Sequence, residues 1–235
     1  MAKKYRNELK YIIHSHDVQI IEDKLKHLMD RDPYADKETG SYVVRSLYFD
    51  SYDDDCFHNN EFSLGRRKKF RIRMYGDDQS LILLEKKEKE NSMSQKTSYR
   101  LSKEEYNQLF YGDVSEMYWQ TKDPLLKEFC LEVMSRLFRP KVIVHYERKP
   151  FVYFTGNVRV TLDMNISCST ELPRFVDNNY LVIPTLEQGE HLLEVKYDEL
   201  LPDFLKQIIQ LDTLEQATFS KYYISRITSQ EHGGL

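Results

Sequence analysis

The chain has 235 residues, and its 34 Lys plus Arg against 38 Asp plus Glu give a formal net charge of −4, which excludes a generally basic nucleic-acid-binding surface. Hydrophobic residues at 40 % supply a core and exclude wholesale disorder, and no apolar run approaches the ~18 residues of a membrane-spanning helix. Only eight glycines are present, none with Walker or Rossmann spacing, so a phosphate ligand would have to be held by side chains. The 17 Tyr and 12 Phe favour strands. Three widely separated cysteines, Cys56, Cys130 and Cys168, predict free buried thiols in a reducing compartment rather than a disulfide framework. With no apolar secretion signal in Met-Ala-Lys-Lys-Tyr-Arg, the expected location is cytoplasmic.

Residues 4–13 alternate as a strand. Ser15 is positioned to cap a helix over 16–30, with Val18, Ile21, Leu25 and Leu28 on one face, and Asp32-Pro33 stops it. A second strand covers 42–50, followed by an acidic turn with Asp50, Asp53, Asp54 and Asp55. Residues 67–76 and 80–90 read as a hairpin around Gly76-Asp77-Asp78, and 94–101 adds a strand. Ser102 and Glu105 form a capping box for a helix to 111. A longer helix is expected over 123–138, with Pro124 in its first turn and Pro140 ending it. Strands at 141–149, 151–156 and 158–166 follow, the last two joined by a Gly156-Asn157 turn, and 190–198 is a late strand. Helices near 202–210 and 215–228 close the chain. No linker divides the sequence, so the expectation is one α+β domain over 1–235. It would be built on about eight antiparallel strands, curled or closed into a barrel, with flanking helices.

The strand faces carry the chemistry, because side chains two apart share a face. Arg67, Lys69, Arg71 and Arg73 share one, against Phe70, Ile72 and Met74. Glu8 goes with Lys10, and Lys96 with Ser98 and Arg100. Arg159 goes with Thr161 and Asp163, and Glu194 with Lys196. Glu85 and Lys87 share a face with Leu81 and Leu83, a weaker alternation. Residues 65–100 hold eleven Lys or Arg against five Asp or Glu, a local charge of +6 in an acidic protein. On a closed sheet such faces converge on one axis and would enclose a polyanion. Glutamates among the cations suggest a hard divalent ion, Mg²⁺ or Mn²⁺ beside phosphates, with Glu8, Glu85 and Glu194 as candidate ligands. Other features weigh less. His14 and His16 share a face but lack a third metal ligand, Asp53 to Asp55 lack EF-hand spacing, Tyr222 and Tyr223 read as packing residues, and Cys130 reads as core. The orientation of Arg148 stays open.

Seven segments then match a known family in order. They are Arg-Asn-Glu-Leu-Lys-Tyr at 6–11, Ser-Leu-Tyr-Phe-Asp at 46–50, Phe-Arg-Ile-Arg-Met-Tyr-Gly at 70–76, Leu-Glu-Lys-Lys at 84–87, Val-Arg-Val-Thr-Leu-Asp at 158–163, Leu-Glu-Val-Lys-Tyr at 193–197 and Phe-Ser-Lys-Tyr at 219–222. The sequence resembles the VTC (vacuolar transporter chaperone) domain, a branch of the CYTH-like triphosphate tunnel metalloenzymes. The resemblance implies an antiparallel β-barrel tunnel lined by Lys and Arg that hold a triphosphate or polyphosphate, with a glutamate-bound Mn²⁺ or Mg²⁺. It places Lys10, Arg71, Arg73, Lys87, Arg159 and Lys196 on the reacting phosphates. Lys69, Lys96, Ser220 and Lys221 are further phosphate contacts, and Glu194 is the metal ligand. It implies a polyphosphate polymerase that transfers the γ-phosphate of ATP to a growing chain. Hydrolysis of tripolyphosphate or nucleoside triphosphate, and a non-catalytic polyphosphate-binding module, are the alternatives. The wider group opens with Glu-x-Glu-x-Lys, whereas this chain has Arg6-Asn7-Glu8-Leu9-Lys10, which favours the polymerase branch.

Overall fold

The computed structural model describes residues 5–61, 66–90, 93–209 and 214–232. In chain order the elements are β1 (Arg6–His14), α1 (Ser15–Lys26), β2 (Asp30–Arg31), β3 (Tyr42–Asp50), α2 (Asp55–Glu61), β4 (Arg66–Tyr75), β5 (Ile82–Glu90) and β6 (Met93–Leu101). Next come α3 (Lys103–Tyr111), α4 (Ser115–Gln120), α5 (Pro124–Ser135), β7 (Arg139–Tyr153), β8 (Val158–Ser169), β9 (Ile183–Pro184), β10 (Glu190–Tyr197), α6 (Asp203–Ile209) and α7 (Lys221–His232). All strand pairs are antiparallel, and the order β7-β3-β4-β5-β6-β1-β10-β8 returns to β7 through a β7–β8 pairing. The result is a closed eight-stranded antiparallel barrel, with β2 and β9 as short additions to β7 and β8. No helix among the described residues is long and apolar enough to cross a membrane.

The barrel is polar within and apolar without. Phe70, Ile72 and Met74 of β4, Leu84 of β5, and Leu47 and Phe49 of β3 face outward into a cluster completed by α3, α4 and α5, with Leu109, Met117, Leu126 and Phe129 among its members. A second cluster seats α1 and α6 against β1, β8 and β10 through Val18, Ile21, Leu25, Leu205, Ile13, Val160 and Val195. Helices therefore cover the outside of the wall, and the alternate side chains of each strand are left to the interior. Cys56, Cys130 and Cys168 are free and buried, as their spacing predicts.

The hairpins, β3, β6 and the α3 capping box lie where the sequence places them. In the capping box the Ser102 N–H donates to Glu105 at 2.7 Å, and the Glu105 N–H donates to Ser102 Oγ at 3.1 Å. Several expectations need correction. α1 is capped by His14 rather than Ser15: the Asp17 carboxylate accepts from the His14 N–H at 2.9 Å, while Ser15 Oγ turns to the Gly189 carbonyl. α1 stops at Lys26, leaving Leu28 exposed, because Asp30 and Arg31 pair with β7. α2 and α4 are short helices absent from the sequence reading. α5 is capped by Asp123, which accepts from the Leu125 and Leu126 N–H groups, and it ends at Ser135 because Leu137 turns left-handed at φ 53°.

The two strands expected at 141–149 and 151–156 are one strand, β7, running through Pro150. Proline is tolerated there because it falls in the gap between two partners: β3 pairs as far as Arg148, and β2 takes over at Phe151. The final helix begins at Lys221 rather than 215. Of the other expected spans, residue 4 of the first strand and residue 210 of the penultimate helix lie outside the described residues.

Phe129 is fully buried, 4.8 Å from the Phe70 ring and 5.1 Å from the Phe49 ring. Phe129→Ala is expected to destabilise the protein by about 3–5 kcal/mol, read as a lower midpoint in denaturant unfolding. A midpoint equal to wild type would contradict the outward placement of the core.

Candidate functional site

Enclosed by the barrel is a cavity of about 460 Å³ lined by the inner faces of its strands and by residues 216–222. Nearly every residue singled out in the sequence lines it: Glu8 and Lys10 from β1, Lys69, Arg71 and Arg73 from β4, Lys87 from β5, Lys96 from β6, Arg159 from β8, Glu194 and Lys196 from β10, and Ser220 and Lys221 at the start of α7. Glu85 does not line the cavity. It is fully buried behind the cations, its Oε2 accepting from Arg71 Nε at 2.8 Å and its Oε1 from Lys96 Nζ at 2.6 Å, with Arg73 Nη1 at 3.7 Å. Burial raises its pKa, but Arg73, Arg71 and Lys96 outweigh that and keep it ionised far below the usual range.

The β1–β6 seam shapes the site. Only Arg6 and Asn7 of β1 pair with β6. Further along that edge, Gln216 bridges Tyr11, and the Ala217 N–H donates to the Lys10 carbonyl at 2.8 Å. This pairing holds 216–220 extended and delays the last helix to Lys221. The segment then threads into the cavity. Lys10 Nζ donates to the Phe219 carbonyl at 2.8 Å, Lys69 Nζ to Ser220 Oγ at 2.9 Å, and Lys221 Nζ lies 2.6 Å from Asp163 Oδ2. α7 is held from behind by Asp50, which accepts from the Tyr222 hydroxyl, and by Asp54, which pairs with Arg226 at 2.8 Å and with Lys141 at 2.9 Å. Asp50 and Asp54 of the acidic turn thus anchor α7, while Asp53 is exposed. His14 and His16 are exposed, as a strand-end pair in solvent would be.

Other side chains that line the cavity were not legible in the sequence. Arg148 makes a buried two-point pair with Asp163, at 2.6 and 2.7 Å, and lies 3.9 Å from Glu194. Tyr146 accepts from Arg73 Nη2 at 3.2 Å, and Tyr48 from Arg71 Nη1 at 2.8 Å. The parity of Tyr146 with Arg148 was the available signal, but the expected strand over 141–149 has apolar residues on both faces (Val142 and Val144 against Ile143), which left its orientation open. Arg159 reaches the lining from nearer the edge. It is about one-third exposed and donates to Asp32 at 2.7 Å and Tyr42 Oη at 3.0 Å.

The electrostatics follow from burial. Glu8 would be pushed up by desolvation, but Lys87, Lys10 and Lys196 hold it at about 2. Glu194, beside Lys196, Lys10 and Lys221, is held well below the usual range in the same way. Burial pushes the Lys69 ammonium down to about 7, with Lys10, Arg67 and Lys87 adding to the push. Lys87 is also pushed down to about 7, by burial against the pull of Glu8 and with further push from Lys10 and Lys196. Among the described residues, no group of three or more His, Cys, Asp and Glu is arranged to hold a metal ion. Among the described residues, Glu8 and Glu194 are the two carboxylates that line the cavity.

The family model for the VTC domain matches residues 5–229. The chain belongs to the VTC domain family. No curated protein matches it in sequence. Two solved structures share the fold of this VTC domain across nearly the whole chain. A candidate adenylyl cyclase from Hippeastrum, with a dominant triphosphatase activity, is 14 % identical with a TM-score of 0.56, covering 95 % of this chain and 96 % of that one. A candidate adenylate cyclase from Bacillus halodurans is 15 % identical with a TM-score of 0.54, covering 94 % and 96 %. The VTC domain is therefore a member of the CYTH-like triphosphate tunnel fold.

A polyanion seated in this cavity would restore the protons that burial takes from Lys69 and Lys87. Tripolyphosphate binding is therefore expected to take up protons at pH 8, with affinity falling between pH 7 and 9 by up to about tenfold per unit for each lysine. Calorimetry in two buffers of different ionisation heat reads the uptake. Protons that the ligand's own terminal phosphates release on binding are separated from this uptake by the same titration into Lys69→Gln/Lys87→Gln. A flat affinity with no uptake would overturn the assignment.

Proposed function

We propose that this VTC domain is an ATP-dependent polyphosphate polymerase that transfers the γ-phosphoryl group of ATP to a polyphosphate chain inside the basic lumen. The observation that carries the reading is the lumen itself: Lys10, Arg71, Arg73, Lys87, Arg148 and Lys196 converge on one cavity whose cations are held in place before any ligand arrives. Phosphoryl transfer needs in-line placement and charge neutralisation more than covalent participation by the protein. The terminal oxygen of the chain forms the new bond to the γ-phosphorus, the bond to the β,γ-bridging oxygen breaks, and ADP leaves with that oxygen. Arg71, Arg73 and Arg148 would present their remaining N–H donors to phosphate oxygens, while Lys10, Lys87 and Lys196 act as point charges. Ser220 and Lys221, carried in by α7, would fix one end of the substrate. Arg159, Lys69 and Lys96 complete the set of contacts, with Arg159 acting nearer the edge.

A divalent ion suits this donor set. Glu8 and Glu194 are ionised, hard oxygen donors on adjacent paired strands, and two carboxylates plus phosphate oxygens are what Mg²⁺ or Mn²⁺ ordinarily takes. Bound there, the ion would neutralise developing charge on the transferring phosphoryl group. With both its oxygens engaged by cations, Glu85 serves to orient Arg71 and Lys96. Arg6 stands at the first position of β1 and lines the cavity, paired with Asp198 at 3.1 Å. A cation at this position supports transfer over the two-metal hydrolysis suggested by a first glutamate.

Triphosphate hydrolysis is the second reading, favoured by the dominant triphosphatase activity of the Hippeastrum protein that shares this fold. In it the same cage would orient water instead of an acceptor phosphate. ATP incubated with the purified protein and Mn²⁺ or Mg²⁺ is expected to yield ADP and polyphosphate resolved on a gel. Release of free phosphate without chain growth would contradict polymerisation and support hydrolysis.

A further inference from the structure

Three cations of the lumen come from three elements, Arg73 from β4, Arg148 from β7 and Lys221 from the start of α7, and all three meet one side chain. Tyr146 of β7 is 1 % exposed and lines the cavity. Its hydroxyl accepts from Arg73 Nη2 at 3.2 Å. Its ring faces Lys221 Nζ, 4.9 Å from the centroid, and the guanidinium carbon of Arg148, 5.3 Å away. Both lie within the roughly 6 Å at which an aromatic face attracts a cation, an attraction that grows when the cation is desolvated. The backbone is shaped at this point. The β7–β8 register shifts between His145 and Glu147, and in the stretch of β8 facing it Asn165 turns left-handed at φ 53°. Bulges of this kind re-aim side chains and are frequent beside functional sites.

Lys221 and Arg148 share one carboxylate, Asp163, at 2.6 Å from Lys221 Nζ and at 2.6 and 2.7 Å from the guanidinium. Burial pushes the Lys221 ammonium down, Asp163 and Glu194 pull it back, and Arg148 and Lys10 push it further. Glu194 is itself paired with Lys196. Another carboxylate would settle the two cations but cancel the charge they offer an anion. An aromatic face attracts both and carries no net charge. We propose that Tyr146 is a positioning residue of the lumen, whose ring sets Lys221 and Arg148 where they meet a phosphate and whose hydroxyl directs Arg73. This rests on the reading of the lumen as a phosphate cage. It makes the phosphate contact carried by α7 depend on a side chain of β7.

The test titrates tripolyphosphate calorimetrically into wild type, Tyr146→Phe, Tyr146→Met, Lys221→Gln and Tyr146→Met/Lys221→Gln. Phe keeps the ring and loses the hydroxyl, while Met fills the space flexibly without an aromatic face. Lys221→Gln leaves Asp163 paired with Arg148, so no buried charge is stranded. Tyr146→Phe is expected to bind about threefold more weakly, the loss of one hydrogen bond. Tyr146→Met should bind about thirtyfold more weakly, because two cation–π contacts go as well. In the Lys221→Gln background the same Met substitution should weaken binding only about tenfold, since the part acting through Lys221 is already gone. Tyr146→Phe as weak as Tyr146→Met, Tyr146→Met as tight as wild type, or a loss undiminished in the Lys221→Gln background would each overturn the proposal. So would a Met variant unfolded by circular dichroism beside a folded Phe variant, because the ring would then serve the fold. Wild type that binds no tripolyphosphate would instead overturn the cage reading.

Discussion

Buried cations are the constraint on which the rest of this structure depends. Taking an ammonium or guanidinium out of water is costly unless a counter-charge goes with it. Here the counter-charges are fixed: Glu85 is buried against Arg71 and Lys96, and Asp163 against Arg148 and Lys221. Each carboxylate sets the direction of the cations that contact it. The lumen is therefore not a diffuse positive field but a set of side chains whose polar ends are already aimed. In the proposed transfer, such preorganisation would avoid reorganisation as charge develops.

Fold and site have one origin. A period of two puts Phe70, Ile72 and Met74 outside and Arg71 and Arg73 inside, and closure of the sheet brings the inner set together. The apolar set then needs cover, which α3 to α5 provide on one side and α1 with α6 on the other. The incomplete β1–β6 seam supplies the remaining part. Because β6 pairs with β1 only at Arg6 and Asn7, residues 216 and 217 can take up the β1 edge and bring Ser220 and Lys221 to the cavity. The anchoring of α7 by Asp50 and Asp54 makes this C-terminal contribution part of the barrel rather than an appendage.

Much of this was legible in the sequence because strand alternation is a local signal. The inward positions of Lys10, Lys69, Arg71, Arg73, Lys87, Glu194 and Lys196 follow from parity alone, whichever strands become neighbours. Features set by tertiary pairing were not legible. Pro150 looks like a strand breaker until β2 and β3 are seen to leave a gap at it, and Arg148 and Tyr146 could not be assigned a face because Val142, Ile143 and Val144 make both sides of their strand apolar. Residues 215–220 have the composition of a helix start, but the open edge of β1 holds them extended. The burial of Glu85 depends on three cations from two strands, which no spacing along one strand reveals.

The central claim, that the aimed cations form a phosphate cage, is tested most directly by neutralising one ion-pair set without stranding its partner. Arg71→Gln with Arg73→Gln alone would leave the buried Glu85 with only Lys96, and its misfolding would be uninformative. The triple variant Arg71→Gln/Arg73→Gln/Glu85→Gln removes the carboxylate as well. Calorimetric titration with tripolyphosphate should show wild type binding and the triple variant, folded by circular dichroism, bound at least about a hundredfold more weakly. A folded triple variant that binds tripolyphosphate as tightly as wild type would contradict the account.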